Sequence, residues 1–299
     1  MNQTTTAAAH WDQRYEQNQR SAWFANPLVL SELNRRITGS DTFWLTWLFE
    51  TYLKKKPRHL LSIGCGDGSH ENLIARQQWA KRVTGFDISA QGIAAADTVS
   101  RSENLNAHFI TMDFDAFISN PMRDFDVVLF IGSLHHVKDL EGMLATVRQA
   151  LDPGGIVIIN EYCGPCFNIY DEARVALINS TLDTLDPVFK VSPNAKWINQ
   201  SIDEILAQDP SESVRSSLIP SFMKHYFEPE ITKPFGGALL HPLFDHLNGA
   251  KLADGSHESE TIVRLLIQME NSLAAAGSLP NDFMFGVYKN TKHPSMRPT

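Results

Sequence analysis

Between positions 58 and 159, short apolar runs alternate with amphipathic stretches. The runs occupy 60–63, 82–86, 107–111, 125–131 and 155–159, each short enough for a buried strand. Before the last of them, Leu140, Met143, Leu144, Val147 and Leu151 recur at helical spacing. Asp139 stands where a cap belongs, and Asp152-Pro153-Gly154-Gly155 reads as a stop and turn. Strands alternating with crossover helices predict an α/β protein with a doubly wound, mainly parallel sheet.

The flanks follow other patterns. Residues 1–57 read as a helical extension with a heavy aromatic load: Trp11, Tyr15, Trp23, Phe24, Trp44, Trp47 and Phe49. Residues 163–258 interrupt the alternation and are too long for a plain loop, so a cap or lid inserted into the core 58–162 is expected. Residues 259–299 return to periodicity. Ile262, Leu265, Leu266, Met269 and Leu273 form a helical stripe, residues 282–288 read as a closing strand, and 227–232 is the candidate neighbour of that strand.

Composition narrows the class. Of 299 residues, 43% are hydrophobic and 20% charged, which excludes fibrous and wholly disordered readings. Lys plus Arg number 26 against 34 Asp plus Glu, a net charge of −8, so the cation excess that phosphate-backbone binding requires is missing and a nucleic-acid partner is disfavoured. The first ten residues lack a leader pattern, and no apolar run approaches the ~20 residues that cross a bilayer, so no membrane partner is expected. Three cysteines, Cys65, Cys163 and Cys166, are too few for a disulfide scaffold, which fits a reducing, cytoplasmic setting.

The chemistry starts where the first strand runs into Gly64-Cys65-Gly66-Asp67-Gly68-Ser69. Alternating glycines let the backbone turn sharply and let a ligand approach closely. Asp87 stands 23 positions after Gly64, at the end of the second apolar run, where a carboxylate can accept from both ribose hydroxyls. A dinucleotide fingerprint would need glycine at position 69, which is Ser.

With Met112-Asp113-Phe114 after the third strand, Phe125-Asp126-Val127-Val128 and Leu134-His135-His136-Val137 around the fourth, and Leu151-Asp152-Pro153-Gly154-Gly155 before the fifth, the stretch from 58 to 161 resembles the class I S-adenosylmethionine-dependent methyltransferase family. That resemblance implies a seven-stranded Rossmann-like sheet, S-adenosylmethionine as cofactor and S-adenosylhomocysteine as product. It also implies roles. Gly64, Cys65, Gly66 and Gly68 would approach the cofactor's amino-acid part, with Asp67 orienting its ammonium. Asp87 would bind the ribose, Ile88 and Phe114 would lie against the adenine, and Asp113 would hold its edge. Ile131 and Gly132 would line the methionine moiety; many members carry Asn where Ile131 stands. The segment His10-Trp11-Asp12-Gln13-Arg14-Tyr15 looks like the opening segment of several members, in which an aromatic such as Tyr15 closes over the cofactor.

The expected acceptor is a small molecule methylated at oxygen or nitrogen. Such an acceptor has to lose a proton, and Glu161, His136, Tyr162 and His135, near the carboxyl ends of the strands, are the candidate catalytic residues, with Glu161 leading. Arg215 would either hold an anionic substrate group or pair with Glu212 or Asp209 to brace the lid, and His225 and Tyr226 are further pocket candidates. Cys163-Gly164-Pro165-Cys166 spells a redox motif, but the motifs around it belong to another fold, and a single C-x-x-C supports neither a dithiol nor a zinc site. No metal is expected. Two rivals stay open: use of S-adenosylmethionine other than as a methyl donor, by cyclisation or aminobutyrate transfer, and a non-catalytic cofactor-binding subunit. The oligomeric state is not set by the sequence.

Overall fold

A computed structural model describes residues 3–16 and 22–291. Seven strands form one sheet: β1 (His59–Ile63), β2 (Arg82–Asp87), β3 (Ala107–Thr111), β4 (Phe125–Ile131), β5 (Leu151–Tyr162), β6 (Glu228–Pro234) and β7 (Phe283–Lys289). Their order is β3-β2-β1-β4-β5-β7-β6. The first five pair in parallel, whereas β7 runs antiparallel to both β5 and β6. The order reverses between β1 and β4, and the carboxyl ends of these strands open a crevice there.

Side chains of successive strand residues point to opposite faces. Leu60, Val127, Leu129 and Ile158 therefore enter one apolar core together with Trp44, Leu45 and Leu48 of the N-terminal extension. Leu61, Val128, Phe130, Val157 and Ile159 enter the other, beneath the helix Leu140–Ala150. In that helix Leu140, Met143, Leu144 and Val147 are buried, and Asp139 caps it by accepting from the Gly142 N–H at 2.8 Å.

Three local readings change. The Asp152–Gly155 turn does not precede β5 but lies within it: the register jumps from Phe125↔Leu151 to Val127↔Ile156, and Gly154 takes φ +79°, so these residues form a bulge. The same strand continues through Glu161 and Tyr162, which pair with Met284 and Phe283, so Glu161 sits inside the sheet and not after it. In the helix His257–Ala275 the buried face is Val263, Leu266, Ile267 and Glu270, and Leu265 is 63% exposed. The apolar stripe missed this rotation because the core position is filled by a carboxylate. Glu270 accepts from the Gly237, Leu239 and Leu240 N–H groups and pairs with Arg36 at 2.7 Å.

The stretch 163–258 supplies the edge strand β6, which pairs with β7 as the 227–232 pattern suggested. The described residues of the extension 1–57 are largely helical. Its helix Pro27–Thr38 starts at Asn26, whose side chain accepts from the Leu28 and Val29 N–H groups, and ends at Gly39 in the left-handed conformation. Trp23, Trp44 and Phe49 are buried, and Phe24 is exposed. Among the described residues, no helix is long and apolar enough to cross a membrane.

Candidate active site

The turn after β1 is built around glycines whose backbone disfavours any larger residue. Gly64, Gly66 and Gly68 have φ of +70°, +57° and +65°. A Cβ on Gly64 would stand 2.5 Å from Ser133 Cβ, and one on Gly68 would stand 2.6 Å from Ala96 Cβ and 2.8 Å from the Phe109 ring. Asp67 folds back to accept from the Ser69 N–H at 3.1 Å. Cys65 packs against Gly85, and burial pushes its thiol well above the ordinary range, so it lines the wall as an apolar group.

Asp87, at the end of β2, ties this turn to the next one. Its Oδ2 accepts from the Gly66 N–H at 2.9 Å and its Oδ1 from the Ser89 N–H at 2.8 Å. Burial raises its carboxyl above the usual range despite these bonds, and Asp12 adds to the rise. Asp12 comes from the N-terminal helix Gln3–Glu16 and accepts from Ser89 Oγ at 2.5 Å and the Gln91 N–H at 3.1 Å. That docks the helix over the cavity, with Ala7 and Trp11 on the wall. Tyr15 belongs to the same helix, but its side chain lies outside the described residues. On the third strand's side, Asp113 caps the helix Phe114–Ser119 through the Ala116 N–H at 2.7 Å, and Ile88, Asp113 and Phe114 face the cavity.

The loop after β4 is held from beneath by Glu161, which is fully buried. Its Oε1 accepts from the Ser133 and Leu134 N–H groups, both at 2.7 Å, and its Oε2 lies 2.9 Å from His135 Nδ1. Ser133 Oγ in turn donates to the Ile63 carbonyl at 2.6 Å. Both Glu161 oxygens are thus committed to the loop, which moves Glu161 from leading candidate base to a bracing group. Burial lowers the basicity of His135, but its bond to Glu161 outweighs this and raises it overall. Tyr162 is buried and donates to the Pro165 carbonyl at 3.0 Å, and burial drives its hydroxyl far above the ordinary range. Among the described residues, the cavity lining includes His136 but not Glu161, His135 or Tyr162.

His136 is the candidate that reaches the cavity. Its ring meets Trp11 edge-on at 5.1 Å, and its Nδ1 stands 3.2 Å from Ser211 Oγ and 3.6 Å from Asp209 Oδ2. Asp209 is buried, and its Oδ1 accepts from the Ser211 N–H and Oγ at 2.8 and 2.6 Å. Glu212 follows, holding Asn168 Nδ2 at 2.9 Å and Ser213 Oγ at 2.6 Å. Burial pushes the Glu212 carboxyl up, but His136 and His135 beside it bring it down to about 2. Burial, with His135 alongside, lowers the basicity of His136. No sequence pattern announced Asp209, Ser211 and Glu212 as partners of His136, more than seventy residues away.

Other candidates settle elsewhere. Arg215 pairs with Glu141, with Nη2 2.8 Å from Oε1, and donates to the Lys138 carbonyl at 3.1 Å; it braces the segment, though with neither of the expected partners. His225 and Tyr226 meet each other edge-on, outside the described lining. Cys163 and Cys166 are free; burial raises the Cys163 thiol well above the ordinary range, and Cys166 Sγ lies 3.2 Å from Ser217 Oγ. A reactive dithiol needs the opposite shift.

These walls enclose a cavity of about 950 Å³. The glycine turn, Asp87, Ile88, Asp113, Phe114, Ile131 and Gly132 supply one set of lining groups. Phe24, Leu33, Ile37, Phe43, Trp44, Phe235 and Phe283 supply an apolar, largely aromatic set. At Gly132 (φ +60°) nothing stands within 4 Å of where a Cβ would project, so the backbone offers a ligand a bare surface.

A doubly wound sheet with a glycine turn after β1 and a carboxylate closing β2 defines a nucleoside-binding α/β protein. Residues 41–214, more than half of the chain, match the methyltransferase domain family, and the chain belongs to it. Curated relatives include norajmaline N-methyltransferase of Rauvolfia serpentina, 28% identical over 36% of this chain and 37% of that protein. Ubiquinone biosynthesis O-methyltransferase of Caulobacter vibrioides is 33% identical over 33% of this chain and 39% of that one. The matches span less than half the length of these relatives. Among solved structures, geranyl diphosphate C-methyltransferase of Streptomyces coelicolor A3(2) superposes with a TM-score of 0.55 at 12% identity, covering 97% of this chain and 99% of that one. A putative sarcosine dimethylglycine methyltransferase of Galdieria sulphuraria gives 0.51 at 15%, covering 83% and 84%. These two likenesses establish the fold.

Proposed function

We propose that the protein transfers a methyl group from S-adenosylmethionine to an oxygen or nitrogen of a small, largely apolar molecule. The observation that carries this reading is the single cavity in which the glycine turn and Asp87 meet an aromatic wall and His136. Family membership supports the cofactor, and the Streptomyces neighbour was solved with S-adenosyl-L-homocysteine.

The residues present fit that cofactor. Gly64, Gly66 and Gly68 keep the turn free of Cβ atoms, Gly132 leaves backbone bare, and Asp87 stands at the end of β2 with its carboxylate on the cavity wall. Asp87 would hold the ribose, Ile88, Asp113 and Phe114 the adenine, and Asp67, Cys65, Ile131 and Gly132 the amino-acid part. The sulfonium of S-adenosylmethionine supplies an activated methyl group, so the protein's task is in-line positioning and removal of water. Trp11, Phe24, Trp44, Phe235 and Phe283 offer the acceptor an apolar bed, and the polar wall of His136 and Ser211, with Asp209 behind Ser211, fixes the atom that receives the methyl group.

In this reading the core 58–162 binds the cofactor, the elements in 259–299 close its sheet, the extension 1–57 covers it, and 163–258 acts as a cap. Pro210 and Ser211 on the wall support the last role. Acidity and the free cysteines support a small-molecule enzyme of the cytoplasm, without nucleic-acid or membrane partners.

The test is calorimetric titration of the purified chain with S-adenosylmethionine, S-adenosylhomocysteine and NAD, followed by a screen of acceptors with labelled methyl donor. Micromolar binding of the first two, and label transferred with release of S-adenosylhomocysteine, is the expected result. Binding of NAD alone overturns the cofactor assignment, and release of methylthioadenosine overturns methyl transfer.

A further inference from the structure

Where the loop after β4 meets the segment 163–258, a second set of groups has a chemistry that points beyond cofactor binding. Ligand atoms of His135, His136 and Glu212 lie within 4.8 Å of one another. Two imidazoles and one carboxylate are the donor set of mononuclear transition-metal sites that keep positions open for a substrate. Ligand atoms of a tetrahedral set at ~2.1 Å from a metal stand ~3.4 Å apart, so these three side chains need only draw together to close on an ion.

The surroundings are those a metal site needs. Each imidazole has its Nδ1 held: His135 by Glu161 at 2.9 Å, and His136 by Ser211 Oγ at 3.2 Å, which in turn donates to the buried Asp209. That arrangement leaves Nε2 of each ring as the ligand atom and fixes both rings in place. Glu212 is oriented in the same way by Asn168 and Ser213, both on Oε1, which leaves Oε2 for the ion. Asp209 Oδ2 is buried without a hydrogen-bond partner among the described residues. Three carboxylates thus converge on two imidazoles in a sheltered pocket, where a divalent cation balances the charge.

We propose that His135, His136 and Glu212 bind one divalent first-row transition-metal ion, with Glu161 and Asp209 as positioning residues. His136 lies on the cavity wall, so open coordination positions face the bound acceptor and take an oxygen of it. The acceptor class that follows is one with a hydroxyl, enol or carboxylate oxygen. This role rests on the methyl-transfer reading, whereas metal binding does not.

The experiment treats the full chain with a chelator, removes the chelator, and titrates with zinc(II) chloride by calorimetry and with cobalt(II) chloride by absorption. One equivalent should bind at micromolar concentration or below. The cobalt spectrum should show ligand-field bands without a thiolate charge-transfer band. Affinity should fall at least tenfold in Glu212→Gln and in His136→Gln, each checked for a native far-ultraviolet spectrum, and should be unchanged in the Cys163→Ser, Cys166→Ser double variant. Absence of stoichiometric binding, equal binding in the two ligand variants, or a thiolate band in the wild-type chain overturns the site. None of these readouts depends on turnover, so a failed metal site and a failed methyltransferase assignment remain distinct.

Discussion

Asp12 in the N-terminal helix accepts a 2.5 Å hydrogen bond from Ser89 Oγ, across 77 residues of sequence. Ser89 also caps the helix Ala90–Ser102 and donates its N–H to Asp87, so one residue links the extension to the carboxylate proposed to hold the ribose. Asp12→Ala releases that link and frees Trp11 from its place on the wall. A charge-assisted bond of about 1.5 kcal/mol corresponds to roughly tenfold in affinity. Calorimetry with S-adenosylhomocysteine should therefore read an affinity about tenfold weaker, and an unchanged value would remove the extension from the binding machinery.

Asp87→Ala is expected to weaken binding further. The substitution removes the proposed ribose acceptor and also the partner of the Gly66 and Ser89 N–H groups, so the glycine turn loses its anchor along with the proposed ligand contact. A loss of about 2 kcal/mol, roughly thirtyfold in affinity, is the expected scale. Asp87→Asn can keep one of the two backbone bonds and should fall between the wild type and Asp87→Ala in the same titration.

Glu161→Gln tests the bracing role. The amide can still accept from Ser133 and Leu134, but the ionic partner of His135 is gone from a fully buried position. Urea unfolding should show a loss of about 1–3 kcal/mol. A variant as stable as the wild type that has lost only turnover would return Glu161 to the reacting centre.

What was legible in the sequence follows from what local pattern encodes. Short apolar runs and alternating glycines located β1 to β4 and the glycine turn that Asp87 anchors, because strand length, turn chemistry and an end-of-strand carboxylate are all local signals. The polar wall around His136 is different. His136 meets Asp209 and Ser211, and Glu161 meets His135, only through tertiary contacts of the loop after β4 with segments that follow it by 26 to 75 residues, and no spacing rule carries such contacts. Glu270 shows the same limit: a carboxylate that satisfies three backbone N–H groups occupies a core position that a hydrophobicity stripe assigns to its neighbours. Metal ligands more than seventy residues apart likewise leave no motif, so the sequence led to no metal being expected.

Glu71 makes stability depend on pH. It is buried in the helix after the glycine turn, accepts from Ser62 Oγ at 2.5 Å, and burial raises its carboxyl to about 7. Below the ordinary carboxyl range both folded and unfolded chains carry the proton, and Glu71 costs nothing. As pH rises from about 4.5 to about 7 the unfolded chain releases the proton first, so this group's contribution to stability declines, and above 7 the full cost is present. The difference of about 2.5 units corresponds to roughly 3 kcal/mol. Glu71→Gln should match the wild type at pH 4 and exceed its stability by up to that amount at pH 8, read as the difference between denaturant midpoints. A constant difference across this range would mean that Glu71 ionises normally.

Gly68 and Gly132 share a positive φ but should fail differently when replaced by alanine. The left-handed backbone alone costs an L-residue about 1–2 kcal/mol, and this applies to both. At Gly68 the new methyl also collides with Ala96 and Phe109, which are buried and have nowhere to move, adding about 1–3 kcal/mol of overpacking. At Gly132 the methyl meets no protein atom within 4 Å and enters the cavity instead. Gly68→Ala should therefore lower the denaturation midpoint markedly more than Gly132→Ala. Gly132→Ala, destabilised only by the backbone cost, should still lose at least about tenfold in affinity for S-adenosylhomocysteine, because its Cβ occupies space that the ligand's amino-acid part would use. Tight binding by that variant would show that the cofactor does not approach the loop after β4, and the assignment of Ile131 and Gly132 would have to be withdrawn while that of Asp87 and the glycine turn stood.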